Sequence, residues 1–174
     1  MLCPHRVEIG AGVLIMEGCH FSMFEEHAGR THSPRLRIGD GSVVGPRTWF
    51  SCVGEIEIGS DVLIGAGVLI ADAHHEHSDK STPILAQPMM EPRPVSIGRG
   101  AYVGPGAAVL SGVSIGDGAY VMPGAVAFED VPPNGVAAGN PAEVVRRWDE
   151  AEGRWANSPD PRWGPLLDAL DPPG

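Results

Sequence analysis

The chain has 174 residues, which is enough for one domain with a hydrophobic core of its own. Its formal net charge of -10 argues against binding to nucleic acid phosphates or anionic lipid, so no nucleic acid partner and no membrane insertion are expected. With 24 glycines, 17 prolines and only 6% aromatic residues, the composition is dense in turns and disfavours an ordinary β-sandwich or a helical bundle.

The cysteines and the first residues indicate the cellular compartment. Cys3, Cys19 and Cys52 are odd in number and lack paired spacing, which predicts neither a disulfide framework nor a thiolate zinc site. The opening MLCPHRVEIG has no apolar signal core, and no stretch approaches the roughly 18 apolar residues of a membrane span. We therefore expect free thiols and a cytoplasmic location.

Aliphatic residues recur every six positions along most of the chain. The downstream run is Ile97, Val103, Val109, Ile115, Val121 and Ala127, with a second small or branched residue four positions after each of the first five. The upstream runs are Ile38, Val44 and Phe50, then, after a slip of two residues, Ile58, Ile64 and Ile70. A rung with one inward aliphatic residue and a turn at each end forms one side of a prism, and three rungs close one coil. The sequence therefore predicts an all-β fold, a parallel β-helix.

A polar segment of about residues 72–94 interrupts this repeat between Ile70 and Ile97. Three of the seven histidines lie there within four residues, at His74, His75 and His77. A loop this long in a compact solenoid is usually functional. We expect an inserted active-site loop at this point.

These features together resemble the hexapeptide-repeat acyltransferases, in particular the sugar and xenobiotic O-acetyltransferase branch. The resemblance rests on the hexads, on IADAHHEHSDKSTPILAQPM, and on the closing run IGDGAYVMPGAVAFEDVPPNGVAAGNPAEVVRR. It implies a left-handed coil, a homotrimer with active sites between subunits, and acetyl-CoA as the acyl donor. The acceptor it implies is a hydroxyl of a sugar or glycan precursor, with N-acetylation of an amino sugar as the alternative.

The family's catalytic histidine lies in the interrupting loop. An acceptor hydroxyl must lose its proton as it attacks the thioester, and an imidazole is a suitable base near neutral pH. Relatives often carry Asp-His-x-His where this chain has Asp72, Ala73, His74 and His75, so the second family histidine aligns with His75. His75 is the favoured base and His74 remains open, with Asp72 or Glu76 as groups that could orient the ring.

The resemblance also implies a cofactor groove along the late coils. The residues expected to contact the pantetheine arm are Gly104, Pro105, Met122, Pro123 and Gly139. Arg146 matches the position at which relatives place a basic residue against the CoA phosphates. Two acids depart from the family pattern, because Glu129 and Glu143 stand where many relatives have a basic residue.

The end of the chain leaves the repeat. Asn140, Pro141 and Glu143 match an N-cap, a first-turn proline and a reciprocal capping acid, which predicts a helix running to about Glu152. The predicted organisation is a β-helix over residues 1–140, followed over residues 141–174 by a helix and a tail that pack on it.

Two further interpretations belong to other classes of protein. Histidines on this fold can hold zinc in γ-class carbonic anhydrases, but that pattern needs a later histidine pair and none follows His77. No metal is therefore expected. The remaining alternative is a β-helix that acts as a non-catalytic scaffold.

Overall fold

A computed structural model describes residues 3–170 of the chain. Residues 1–2 and 171–174, which belong to the predicted domains 1–140 and 141–174, lie outside the described residues. Between residues 3 and 170, no helix is long and apolar enough to cross a membrane.

Short strands follow one another in successive coils, with three strands to a coil. After a 3-10 turn at Pro4–Arg6, the first coil holds β1 (Val7–Ile9), β2 (Leu14–Ile15) and β3 (His20–Met23). A hairpin follows, formed by β4 (Glu26–His27) and β5 (Arg30–Thr31). The next two coils hold β6 (Arg35–Ile38), β7 (Val43–Val44), β8 (Trp49–Cys52), β9 (Glu55–Ile58), β10 (Leu63–Ile64) and β11 (Leu69–Ala71).

The remaining strands follow residues 72–94, which contain a 3-10 turn at Ile84–Ala86. Two further coils hold β12 (Val95–Ile97), β13 (Tyr102–Val103), β14 (Ala108–Val109), β15 (Ser114–Ile115), β16 (Tyr120–Val121) and β17 (Val126–Ala127). The chain then continues through β18 (Val136–Gly139), β19 (Ala142–Asp149), β20 (Arg154–Asn157), a 3-10 turn at Pro161–Trp163 and α1 (Gly164–Leu170).

The strands stack into three parallel sheets, which are the faces of a prism. Face A has the order β1-β6-β9-β12-β15, face B begins β2-β7-β10-β13-β16-β18, and face C is β17-β14-β11-β8-β3. Corresponding strands of neighbouring coils pair in register, as Ile64 does with Val44 and Val103. The predicted parallel β-helix is therefore confirmed.

The predicted inward residues form the core as three columns, one behind each face. Each of the twelve is at most 2% exposed. The columns are Ile38, Ile58, Ile97 and Ile115; Val44, Ile64, Val103 and Val121; and Phe50, Ile70, Val109 and Ala127. Since identical or similar side chains lie above one another at the strand spacing of about 4.8 Å, the columns leave little room for bulky aromatic residues.

The helix predicted from Pro141 to about Glu152 is wrong, because Ala142–Asp149 form strand β19. β18 presents a free edge at the end of face B, and β19 turns back and pairs with it antiparallel. Gly139, at φ +99, begins the reversal. The β-branched pair Val144 and Val145 suits a strand, so pairing with this edge outweighs the local capping pattern.

The last residues cover the end of face B. Leu167 of α1 packs with Val136, Ala138 and Val145 in a small second core. Trp163 and Leu166 pack against the same cluster. The described part of the tail therefore lies on the final coil of its own chain.

Candidate active site

One corner of the prism, where face C turns into face A, carries both insertions of the fold. The hairpin follows β3 in the first coil, and the segment 72–94 follows β11 in the third. The intervening coil makes the same corner with only Val53 and Gly54. Val53 forms a small core there with Ala73, Met89 and Phe24. The two insertions therefore meet over the corner of the second coil.

Asp72 holds the base of the 72–94 loop. Its side chain is fully buried, and its carboxylate oxygens accept hydrogen bonds from the N–H groups of Val53 at 2.8 Å and Gly54 at 2.7 Å. Its carbonyl oxygen accepts from Arg93 N at 2.9 Å and from Ser111 Oγ at 2.7 Å. The two ends of the loop are thereby joined to each other and to two neighbouring coils.

Neither acid considered for orienting the imidazole is placed to do so. Burial raises the pKa of the Asp72 carboxyl, and the N–H donors of Val53 and Gly54 offset part of that rise. Glu76 accepts hydrogen bonds from the N–H groups of His77 and Ser78, which lower the pKa of its carboxyl. The Asp72 carboxylate therefore binds the corner of the second coil, and the Glu76 carboxylate stabilises the backbone of the loop.

Gln87 is the internal support of the loop. Its side chain is buried, with Nε2 donating to the carbonyl oxygens of Asp79 at 2.8 Å and Thr82 at 2.7 Å, while Oε1 accepts from Asp79 N at 3.2 Å. A buried amide with three hydrogen bonds gives a long loop a defined conformation.

The two candidate bases lie on the outer arm of this loop. Residues 74–76 run antiparallel to residues 88–90, with a bridge between His75 and Met89 and a bond of 2.8 Å from Met90 N to His74 O. Both imidazoles are exposed. The ring of His75 contacts the ring of His27 on the hairpin, with centroids 5.1 Å apart and an interplanar angle of 71°.

A groove of about 460 Å³ lies beside this arm, between the hairpin and residues 89–92. Its lining includes the charged Arg30 and Glu91, the hydroxyl residues Thr31 and Ser33, and His32. Within the described chain, His32 Nε2 is buried without a hydrogen-bond partner. The groove therefore offers charged and hydrogen-bonding groups to a polar molecule.

Five of the six candidate cofactor residues share another corner, where face B turns into face C. Val103, Val121 and Ala137 lie above one another in neighbouring coils, so the residues that follow each of them also lie in adjacent rows. The candidates in these rows are Gly104, Pro105, Met122, Pro123 and Gly139. A Cβ at Gly104 would lie 2.5 Å from Pro123 N, so the coils can approach this closely only with glycine there.

Arg146 lies apart from this corner, in the middle of β19. It is 7% exposed, and its guanidinium carbon lies 4.9 Å from the ring centroid of Trp155. The neighbouring Arg147 is exposed and borders a cleft of about 310 Å³ together with Glu129 and Glu143. Arg146, the residue predicted to meet phosphate, is therefore buried, whereas Arg147 is exposed at this cleft.

Glu143 does not cap a helix as predicted. Its carboxylate instead accepts from the guanidinium of Arg162, at 3.2 Å to each oxygen. Arg162 also binds Asp160, and both acids raise the pKa of its guanidinium. The sequence pattern did not reveal Arg162, because its partner is brought close only by the reversal at Gly139.

Residues 94–127 match the family described as bacterial transferase hexapeptide (six repeats). This segment of the chain belongs to that family of hexapeptide-repeat transferases. It is 35% identical over 117 residues to a protein named as probable acetyltransferase Rv3034c of Mycobacterium tuberculosis, a match covering 67% of this chain and 39% of that relative. The chain thus corresponds to well under half of that relative's length.

Solved structures extend the likeness beyond the matched repeats. A maltose O-acetyltransferase from Clostridium difficile 630 superposes with a TM-score of 0.67 and 26% identity, covering 84% of this chain and 72% of that one. AntD, an N-acyltransferase from Bacillus cereus, superposes with a TM-score of 0.66 at 18% identity, covering 97% of this chain and 80% of that one. That second likeness concerns the fold alone.

The zinc interpretation, which the sequence left as an alternative, needs a set of ligand side chains. Among residues 3–170, no group of three or more histidine, cysteine, aspartate or glutamate side chains is arranged to hold a metal ion. The zinc interpretation therefore has no ligand set within that part of the chain.

The raised pKa of Asp72 predicts a particular dependence of stability on pH. A buried carboxyl with a raised pKa keeps its proton in the folded state at pH values where the unfolded chain has lost it. Its contribution to the free energy of unfolding therefore falls as pH rises from about 4 through the folded-state pKa. An asparagine side chain cannot ionise, so the stability of wild type minus that of Asp72→Asn should decrease as pH rises.

Urea unfolding of both proteins between pH 4 and pH 8 measures this difference. A difference that is constant, or that increases with pH, would contradict the placement of a raised-pKa carboxyl at Asp72.

Proposed function

We propose that this hexapeptide-repeat transferase moves an acetyl group from acetyl-CoA to a hydroxyl of a sugar or glycan precursor, with His75 as general base. The observation that carries the proposal is the exposed imidazole of His75 on a loop held at its base by Asp72 and internally by Gln87. The likeness to a maltose O-acetyltransferase supports hydroxyl transfer.

The reaction proceeds by direct transfer. The imidazole of His75 takes the hydroxyl proton while the acceptor oxygen forms a bond to the thioester carbonyl carbon. The carbon–sulfur bond then breaks, and the CoA sulfur leaves and receives the proton from the imidazolium. No acetyl group is attached to the enzyme at any stage.

The acetyl-CoA site runs along the corner between faces B and C. The pantetheine arm lies against the rows of Gly104, Pro105, Met122, Pro123 and Gly139, in which Pro105 and Pro123 are exposed. The phosphates meet Arg147, since Arg146 is buried under Trp155. The bond of Glu143 to Arg162 reduces the repulsion that this acid would otherwise exert on phosphate.

Acceptor binding is assigned to the groove beside the hairpin. Its volume of about 460 Å³ and its hydroxyl, charged and imidazole groups suit a molecule rich in hydroxyls. N-acetylation of an amino sugar is the second candidate, because a fold shared with an N-acyltransferase does not choose between the two reactions. Both transfers add the same acetyl mass, so the chemistry of the product, an ester or an amide, separates the two candidates.

The candidate base and the candidate cofactor corner lie at opposite edges of face C in one chain. The 72–94 loop leaves at the corner with face A, whereas Gly104 and Met122 lie at the corner with face B. A closed ring of three copies would bring the loop of one chain against the cofactor corner of the next. We therefore propose a left-handed homotrimer, located in the cytoplasm, where the free Cys3, Cys19 and Cys52 stay reduced.

The trimer has a direct test in sedimentation velocity. The expected species has three times the chain mass of 18.3 kDa. A monomer or a dimer at micromolar concentration would contradict the closed ring of three chains.

Replacing His75 tests the base. With acetyl-CoA and a panel of sugars that includes maltose, His75→Ala should lower turnover by roughly 100- to 10,000-fold, because the acceptor hydroxyl loses its base. CoA affinity should change little, since the ring is assigned to chemistry rather than to cofactor binding. Release of free thiol and the product mass follow the reaction.

His74→Ala is the matched control, because His74 is the exposed neighbour on the same arm. It should retain turnover. A loss confined to His74→Ala would move the base to that residue, and full turnover in both variants would contradict a histidine base. No turnover of wild type with any acceptor would favour the scaffold interpretation.

A further inference from the structure

The hairpin between β3 and β6 stands outside the repeat and has a regular antiparallel geometry. Its strands pair Glu26 with Thr31 and His27 with Arg30. The two residues of its turn, Ala28 and Gly29, both have positive φ, at 47° and 76°. Such two-residue turns match the twist of the strands that they join. The position of His27 is therefore set by the hairpin itself.

His27 is also bonded to the 72–94 loop. Its Nε2 lies 3.0 Å from the carbonyl oxygen of Gln87. A carbonyl oxygen can only accept, so Nε2 must carry the hydrogen. Gln87 is itself immobilised by the three hydrogen bonds of its side chain. The plane of the His27 ring is therefore determined by groups on both insertions.

The fixed ring of His27 lies between two others. Phe24 meets it edge-on, with centroids 6.5 Å apart and an interplanar angle of 82°. On the loop side it meets the ring of His75 at 5.1 Å and 71°. An exposed histidine otherwise samples several side-chain rotamers. The contact with the His27 ring restricts the rotamers that the His75 side chain can adopt.

We propose that His27 is a positioning residue, which holds the imidazole of His75 in the orientation required to accept the acceptor proton. This inference rests on the proposed function, in which His75 is the base. It adds that the hairpin takes part in catalysis through ring-to-ring contact, without His27 touching the substrate. A displacement of about 1 Å at a reacting group can cost about 100-fold in rate.

Two variants of His27 separate the ring contact from the hydrogen bond. His27→Leu removes both, and should lower kcat by about 10- to 100-fold while the KM for acetyl-CoA stays within about twofold. His27→Phe keeps a ring against His75 but removes the donor to Gln87, and should recover most of the lost kcat. If the Phe variant is as slow as the Leu variant, ring positioning is wrong.

His20→Leu is the matched control. His20 is an exposed histidine of the same coil, whose ring lies 5.9 Å from that of Trp49 rather than on the loop. It should leave kcat unchanged. An equal loss in His20→Leu and His27→Leu would contradict a specific role of His27.

A spectroscopic measurement tests the contact without turnover. The imidazole Cε1–H resonance of His75, assigned by its absence in His75→Ala, should shift in His27→Leu and stay in place in His20→Leu. An unshifted resonance in His27→Leu overturns the proposal. If His27→Leu keeps full kcat while His75→Ala loses it, this inference alone is overturned. If His75→Ala keeps full kcat, the proposed base and this inference are both overturned.

Discussion

The stacking of inward side chains constrains everything else in this molecule. Each coil must present one apolar residue behind each face, directly above its equivalent in the coil before, as Ile58 lies over Ile38. An insertion can therefore leave the prism only at a corner and must return to the same corner, or the following residues would shift out of their columns. Residues 72–94 obey this rule, because Asp72 and Arg93 are bonded to each other at the point of departure.

The corner between faces C and A gathers the candidate chemistry for the same reason. Two insertions separated by a single coil lie about 10 Å apart at the strand spacing of a parallel sheet, which is close enough for their side chains to touch. The contact of His27 with His75 is the result. Two segments far apart in sequence become one site because the coil between them is short at that corner.

The sequence predicted the parts of the fold that the repeat governs. The twelve inward positions, the small residues at the corners and the interruption after Ile70 could be identified because a period of six persists along the chain. The C-terminal region escaped prediction, since the capping pattern at Asn140 competes with a free sheet edge that exists only in the folded molecule. The burial of Asp72 and the contact of His27 escaped it too, because both depend on neighbouring coils.

The central claim is that acyl transfer takes place where the 72–94 loop of one chain meets the cofactor corner of another. A crystal structure of the protein with CoA bound tests it most directly. The account predicts pantetheine along the rows of Gly104 and Met122, with the sulfur within hydrogen-bond reach, or one water, of the His75 imidazole of a neighbouring chain. CoA bound with its sulfur away from His75 in every pair of subunits would contradict it.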